Sequence, residues 1–516
     1  MVLIVFLLGL FNFFFGEKVP AGGGFGWDGV IYANMVRNLD SMISSGSLSN
    51  YYAQRILPSG VVRSFLLITG ISMNNINIIK SFEIYNLALL IGACFVWRRL
   101  ADNFSISLAG RWIGFSGIVI NFEASKQAFY IPVTTDVTAL FVGMLLLLFY
   151  VEKKPLSLFM TTIVGSFCWP VVSICGALLI FFLPKDNFQD GVKLLPNKFN
   201  KQQKILLTIF FVVLVFSIIG YSTLRLFPIN SSWYSDLNNF TKSYYSLSFL
   251  SQDIIDRIEK FIVKGANVKL ERLFTGLPSI FGVLIALSVL VRSGSFFQSI
   301  IDRIKKPSLL LLFLSISAYL VPRFIVKAIS NSDIVNPNGF HGVLYAAFFP
   351  LGGLFLLPIV TLAVFWGPLI IMLVLYFNAF CFQARQLGSG FLAVIAVHLL
   401  LGLLCEPRFF TIGWPFFVLG IVLAIESLEM KVSFKYVFIF LTVVYAQFWM
   451  KINYTSWVSS DFADLLVFPK QLLFMHYGLW MSWVTYFIQL IVIIISAILL
   501  LRTIGNAVRH EVNDVI

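Results

Sequence analysis

Long apolar runs recur from one end of this sequence to the other, and they constrain its fold more than any other feature. Most of these runs extend over 15 to 28 residues. A helix that crosses the hydrocarbon layer of a membrane needs about 20 such residues. Backbone N–H and C=O groups cannot stay unpaired in lipid, so the runs must form helices. The pattern predicts an all-α, polytopic transmembrane protein with about 12–14 transmembrane helices.

The charged residues support the same interpretation. Only 12% of the residues are charged, against roughly 25% in soluble proteins. The net charge is +13, and many basic residues stand in short loops between apolar runs. Short basic loops mark the cytoplasmic side of a membrane protein. The expected partners are therefore the lipid bilayer and lipid phosphates, and nucleic acid is not among them.

The chain is predicted to form a single integral membrane domain over residues 1–516. Its first part, 1–183, begins with a retained helix at 1–15, which is followed by an external loop at 16–80. The second part, 184–516, has further external loops. These are predicted at 226–273, 322–342 and 451–475.

Two features inside the first part are predicted more closely. Asp136 opens an apolar run that ends near residue 151, which predicts a helix over 136–151. The run 156–183 is interrupted by the sequence Cys-Trp-Pro at 168–170. Because proline removes a backbone donor and disfavours a straight helix, we predict a hairpin of two short helices there.

The first external loop has the most informative local sequence. Its four glycines at positions 22, 23, 24 and 26 allow the backbone to turn sharply or to approach other atoms closely. Asp28 follows them at the start of a predicted helix, where an aspartate is commonly a cap for backbone N–H groups.

Three other segments on the same predicted side contain ionisable residues. They read YYAQRILPSGVVR from residue 51, NFEASKQAFYIPVTTD from residue 121 and LLCEPRFFTIGWP from residue 403. Ionisable residues at membrane depth are unfavourable, and those that occur usually have functional or paired roles. We therefore expect these segments to meet the first loop at one site.

This arrangement resembles the GT-C superfamily of polyprenyl-phosphate-sugar-dependent membrane glycosyltransferases. Members have an acid in the first external loop, a Tyr and an Arg-Pro-like segment before the second helix, a second acid opening a later helix, and a late Glu/Arg pair near Pro. The matching residues here are Asp28, Tyr52, Arg55, Pro58, Asp136, Glu406, Pro407 and Arg408. The split hairpin at 156–183 is also similar to that superfamily. No soluble external domain is visible, which argues against protein N-glycosylation. Gly29 after Asp28 departs from the double-acid motif of protein O-mannosyltransferases.

The resemblance implies a function and roles for residues. A sugar would move, with inversion, from a polyprenyl-phosphate donor to a glycan, lipid or protein acceptor on the external side of the membrane. The compact chain without a targeting extension suits a bacterial inner membrane, where that side is periplasmic. Asp28 would be the catalytic base, and Arg408, Arg55 and Lys126 would bind the donor phosphate. The candidates for acceptor or sugar binding are Trp27, Tyr32, Tyr52, Gln54, Glu123, Asp136, His341 and Glu406.

Several of these residues have simpler alternatives. Asp136 could be a helix N-cap, Glu123 could pair with Lys126 three residues away, and Arg408 could pair with Glu406. Arg55 could anchor an interfacial helix at lipid headgroups. No cofactor is implied with certainty; a divalent cation is possible, although no spacing typical of a metal site occurs.

Two other functions fit a polytopic protein. A transporter or flippase of lipid-linked glycans would often show inverted repeats and helices broken at mid-bilayer. Neither symmetry between the two halves nor acids at mid-bilayer is visible here. A glycan polymerase or ligase usually has its chemistry in one large late loop, whereas the informative loop here is the first.

Overall fold

The computed structural model describes most of the chain. The described residues are 1–184, 210, 212–219, 222, 271–291, 295–305, 308–331, 354–428, 432–453, 481 and 483–503. Within these ranges the protein is helical and has no β-strand, only one isolated bridge between Ser49 and Asn331. The prediction of an all-α fold is therefore confirmed. His341 lies outside the described residues, as does most of each predicted external loop after residue 225.

The described residues contain twenty α-helices. In chain order they are α1 Val2–Phe15, α2 Trp27–Ser44, α3 Asn50–Ala53, α4 Ile56–Thr69, α5 Asn75–Asn103, α6 Leu108–Val119, α7 Ala128–Tyr130, α8 Asp136–Val151, α9 Pro155–Gly165, α10 Val171–Phe181, α11 Glu271–Val291, α12 Ser295–Lys305, α13 Leu309–Ile329, α14 Leu357–Trp366, α15 Pro368–Leu375, α16 Phe377–Gln386, α17 Ser389–Gly402, α18 Trp414–Glu426, α19 Val432–Ala446 and α20 Trp483–Arg502.

A large apolar core holds most of these helices together. Helix α5 packs against α1, α6 and α8, while α10 packs against α9 and α13. Helix α8 is buried along almost its whole length and has no Asp, Glu, Lys, Arg or His after Asp136. The predicted helix over 136–151 is confirmed at both ends, and the predicted break within 156–183 lies between α9 and α10.

The first predicted loop, 16–80, is folded into helices with an apolar core of its own. Helices α2, α3 and α4 and the first turns of α5 pack around a second, smaller apolar core. Its members are spaced at helical period along α2 and α4, so each helix buries one face. This core includes Tyr32, Val36, Val62, Phe82 and, from the turn before α8, Val133.

Two described helices are long and apolar enough to cross a membrane unaided, namely α5 and α13. Helices α15 and α16 meet at 88° and would count as a third crossing if they were taken together. The other apolar helical stretches in the described ranges, including Gly276–Val291 within α11 and Tyr486–Arg502 within α20, are 10–17 residues long. The larger number of crossings stays a prediction.

Basic residues collect at the end of the bundle away from Asp136. Glu152, which follows α8, forms ion pairs with Arg99 of α5 and with Lys154. Arg111 at the start of α6 pairs with Asp102 at 2.5 Å. Since α8 has 16 residues at about 1.5 Å each, about 24 Å of apolar helix separates this end from Asp136.

Candidate functional site

Asp28 lies at the N-terminus of α2, directly after a chain of tight turns. Each of the four glycines before it has a positive φ, between +60° and +95°. Gly26 is the N-cap residue, and Asp28 lies two residues later, half-buried in the first turn. Its carboxylate accepts a hydrogen bond from the Tyr52 hydroxyl at 3.4 Å. Asp28 therefore lies in the first turn of α2 and does not occupy the cap position.

A close backbone contact fixes α2 against the turn that precedes α8. A Cβ added at Gly29 would lie 2.9 Å from the carbonyl oxygen of Val133, so only glycine allows this approach. From α5, the buried Asn86 donates to the carbonyls of Ala128 and Pro132 at 2.9 and 3.0 Å. These contacts bring the first loop and the segment before Asp136 together.

Three tyrosines lie near enough to Asp28 to be influenced by its charge. Tyr52 lies edge-on to both Tyr32 and Tyr51, with ring centroids 6.0 and 4.9 Å apart. Burial raises the pKa of all three, and the charge of Asp28 raises the pKa of Tyr52 further. Their hydroxyl groups therefore stay protonated at neutral pH and remain hydrogen-bond donors.

Arg55 is almost fully buried, with 6% of its surface exposed, between α3 and α4. Its guanidinium lies 3.8 Å from the ring centroid of Tyr51 and 5.1 Å from that of Trp169. One of its nitrogens, Nη1, donates to the backbone carbonyl of Tyr51 at 3.0 Å. Among the described residues no acidic side chain pairs with it, so its remaining N–H groups can receive an anion.

Arg408 reaches the same region from the break between α17 and α18. It lies in a single 3-10 turn, Pro407–Phe410, which the buried indole N–H of Trp366 holds by donating to the Pro407 carbonyl at 3.1 Å. The Arg408 guanidinium donates to Glu406, with Nε at 2.8 Å. Cys405, just before this pair, has a φ of +54°, which L-residues rarely adopt.

Asp136 and Glu123 form the buried part of the site, with 0% and 1% of their surfaces exposed. The two carboxyls are close enough to influence each other's ionisation, and the charge of Arg408 reaches both. The charges of Arg55 and Glu406 also reach Asp136. Both Glu123 oxygens lack a hydrogen-bond donor within the described ranges.

Close packing of α8 explains this meeting of distant segments. A Cβ added at Gly143 would lie only 2.3 Å from the carbonyl oxygen of Ile412, so α8 is pressed directly against the backbone that follows Arg408. Asp136 begins that same helix, and Thr135 is its N-cap residue. The N-cap alternative for Asp136 is therefore not what the structure has.

We define the candidate site by the ionisable residues that converge from these separate segments. They are Asp28, Arg55, Glu123, Asp136, Glu406 and Arg408. The half-buried Asp28 can take a proton from a hydroxyl group at its open side. The two guanidinium groups can stabilise an anion such as a phosphate.

The structure does not bring Lys126 to this site. Its ammonium group pairs with Glu17 at 2.8 Å and donates to the Met450 carbonyl at 2.8 Å. The predicted alternative, a pair between Lys126 and Glu123, is also absent. Residues Glu123–Gln127 form a π-helical turn, which changes the angle between side chains three apart from its α-helical value. These contacts favour a structural role for Lys126 over the predicted phosphate binding.

The other predicted residues that the structure describes belong to α2 or to α3 and its C-cap. Tyr32 and Tyr52 belong to the tyrosines around Asp28. Gln54 donates its side-chain amide to the carbonyl of Asn50 within its own turn, at 3.1 Å. Trp27 lies beside Asp28 in sequence and is 37% exposed. In the sequence, Trp169 indicates only the helix break before Pro170. The structure adds that its indole lies 5.1 Å from the Arg55 guanidinium carbon, a contact that the sequence does not predict.

No metal centre is recognisable in the ranges that the structure describes, since no three His, Cys, Asp or Glu side chains there are grouped to hold an ion. Comparison of the chain with protein-family models, with curated proteins and with solved structures gives no match. The candidate site is therefore interpreted from its own geometry.

Proposed function

We propose that this chain is a polytopic membrane glycosyltransferase of the GT-C type, which moves a sugar from a polyprenyl-phosphate donor to an acceptor hydroxyl on the external side. The observation that supports this most is the convergence of the half-buried Asp28 with Arg55 and Arg408, which come from sequence segments far apart. A base beside two guanidinium groups is the set that such a transfer needs.

The membrane arrangement belongs to the same proposal. The candidate site lies at one end of α8 and the basic residues at the other, about 24 Å apart. This separation is close to the roughly 30 Å of a hydrocarbon layer. The basic end would face the cytoplasm, which leaves the candidate site at the external leaflet. With the described helices packed side by side, about 12–14 crossings remain the proposed number.

The reaction would proceed by one displacement. The acceptor oxygen attacks the anomeric carbon of the sugar, the bond from that carbon to the phosphate oxygen breaks, and the bonding electrons leave with the polyprenyl phosphate. Asp28 takes the hydroxyl proton and later releases it to water. Arg55 and Arg408 stabilise the charge that develops on the leaving phosphate. Attack from the face opposite the phosphate inverts the anomeric configuration.

The test is the variant Asp28→Asn in proteoliposomes that contain a panel of polyprenyl-phosphate hexoses and pentoses. The measurement is the release of free polyprenyl phosphate. We expect the variant to insert and fold as the wild type does, and to release polyprenyl phosphate at least about 100-fold more slowly.

Asp40→Asn is the matched control. It makes the same substitution in the same helix, at an exposed residue whose partner is Arg63, and it should keep the wild-type rate. Full activity in Asp28→Asn would remove Asp28 as the base. A wild-type protein that moves intact lipid-linked sugar across the bilayer without releasing phosphate would favour a flippase instead.

A further inference from the structure

The break between α9 and α10 places a large aromatic side chain against the candidate site. Trp169 directly precedes Pro170, and the residue before a proline is disfavoured in a helix. The chain therefore leaves the helical path, and the Trp169 indole is buried, with only 4% of its surface exposed. A side chain so buried cannot offer its ring face to a substrate, so any role must be exerted through its neighbours.

One neighbour of Trp169 is Arg55. The indole centroid lies 5.1 Å from the guanidinium carbon, on which Tyr51 also packs at 3.8 Å. The backbone is anchored at the same place, because the Leu57 N–H donates to the Phe167 carbonyl at 2.9 Å. Two aromatic rings and one main-chain hydrogen bond thus restrict where the Arg55 charge can lie.

The other neighbour belongs to the segment that contains the second arginine. The rings of Trp169 and Phe409 meet at 64° with centroids 5.9 Å apart. Phe409 follows Arg408 within one turn of 3-10 helix. A single indole is thereby in contact with the Arg55 side chain and with the residue next to Arg408.

Resting on the proposed function, we propose that Trp169 is a positioning residue for the donor phosphate, which sets Arg55 and Arg408 at the separation needed to bind one phosphate together. Arg55 is nearly buried and has no acidic partner among the described residues, so an anionic ligand is what its remaining N–H groups require. Without the indole the guanidinium would move into the vacated space, and the two arginines would no longer act on the same phosphate group.

The experiment measures binding of a short-chain polyprenyl monophosphate to the full-length protein in nanodiscs. Trp169→Leu should raise its Kd by about tenfold, since the cation–π contact that holds the Arg55 guanidinium is lost. Trp169→Phe retains an aromatic face and should stay within about threefold of the wild type. Trp112→Leu is the matched control: Trp112 is partly exposed on α6 and packs on Phe115, so its loss should leave Kd unchanged.

A double-mutant cycle separates positioning from a general structural effect. In an Arg55→Gln background, Trp169→Leu should raise Kd by much less than in the wild type, because one of the two arginines that it positions is gone. An equal loss in both backgrounds, or a Trp169→Phe variant as weak as Trp169→Leu, would overturn the inference and leave the proposed function standing. A wild-type protein that neither binds polyprenyl phosphate nor releases it would refute the proposed function, and the inference would fall with it.

Discussion

Two clusters of ionisable residues share the same π-helical turn, and in only one of them does every member have an oppositely charged partner. The first is the candidate site, to which the turn contributes Glu123. The second, which we name the clamp cluster, receives Lys126 from that turn and comprises Glu17, Lys18, Lys80, Glu83 and Lys126.

Every charge of the clamp cluster has a partner of opposite sign. Glu17 accepts hydrogen bonds from Lys126 and from the backbone N–H groups of Ile452 and Asn453. Glu83 pairs with Lys18 at 2.5 Å and with Lys80 at 3.0 Å. These contacts join the end of α1 to α5 and to the segment after α19, which is a structural task.

The candidate site is arranged differently. Its four carboxyl groups outnumber its two guanidinium groups, and in the described part of the chain neither Glu123 nor Asp136 has a cationic side chain within ion-pair distance. A protein that needs only stability gains nothing from an unsatisfied buried carboxyl group. From this difference we infer that the cluster with incomplete partners serves function and that the cluster with complete partners serves structure.

The largest expected difference comes from removing one cation from each cluster. Arg408→Gln should slow polyprenyl phosphate release by about 100- to 1000-fold, because a donor to the leaving phosphate is lost. It should lower the free energy of unfolding by only about 1 kcal/mol, since the Arg408 side chain is partly exposed. Lys126→Gln should show the reverse, with a loss of about 3 kcal/mol of stability, because it breaks a buried ion pair.

Both variants are measured in the same way, with the release assay corrected for the folded fraction and with denaturant unfolding in mixed micelles. A Lys126→Gln protein of normal stability and low activity would contradict the division into a functional and a structural cluster. It would return Lys126 to the set of phosphate-binding candidates.

Replacing one glutamate by glutamine in each cluster should change the stability by less, and the two changes should differ in direction. Glu17→Gln should destabilise the protein by about 2 kcal/mol, because charge-assisted hydrogen bonds are weakened. Glu123→Gln should be neutral or should stabilise by up to about 1 kcal/mol, since a buried acid without donors is replaced by an amide of the same shape. Unfolding in mixed micelles measures both, and equal losses would mean that Glu123 is satisfied after all.

The part of this comparison that the sequence predicts depends on local signals. The bounds of α8 follow from Asp136 at one end of an apolar run and charged residues at the other. The break before Pro170 follows from the backbone chemistry of proline. The four glycines predict the turn that precedes Asp28. Each of these signals lies within a few residues of the structure that it determines.

The part that the sequence does not predict depends on partners far away in the chain. Glu17 and Lys126 are 109 residues apart, and the π-helical turn that directs Lys126 towards Glu17 has no recognised sequence signal. Trp169 meets Arg55 and Phe409 only after three separate segments have packed together. Spacing along the chain suggests a pair between Lys126 and Glu123, because it reports neighbours in an ordinary α-helix only. The structure instead pairs Lys126 with Glu17.

The smallest expected effect is a pH dependence that belongs to the clamp cluster. Burial acts to raise the pKa of Glu17, but the hydrogen bonds from Lys126, Asn453 and Ile452 outweigh it and hold this pKa below the ordinary value of 4.5. A carboxyl group with a lowered pKa contributes stability above its unfolded pKa and loses it as the pH falls through the folded one. The stability difference between wild type and Glu17→Gln should thus be constant from about pH 7 to 5 and shrink below about 4.5. Asp40→Asn, at an exposed carboxylate, controls for the loss of one negative charge. A difference that stays constant down to about pH 3 would show that the ionised form of Glu17 is not what joins α1 to the segment after α19.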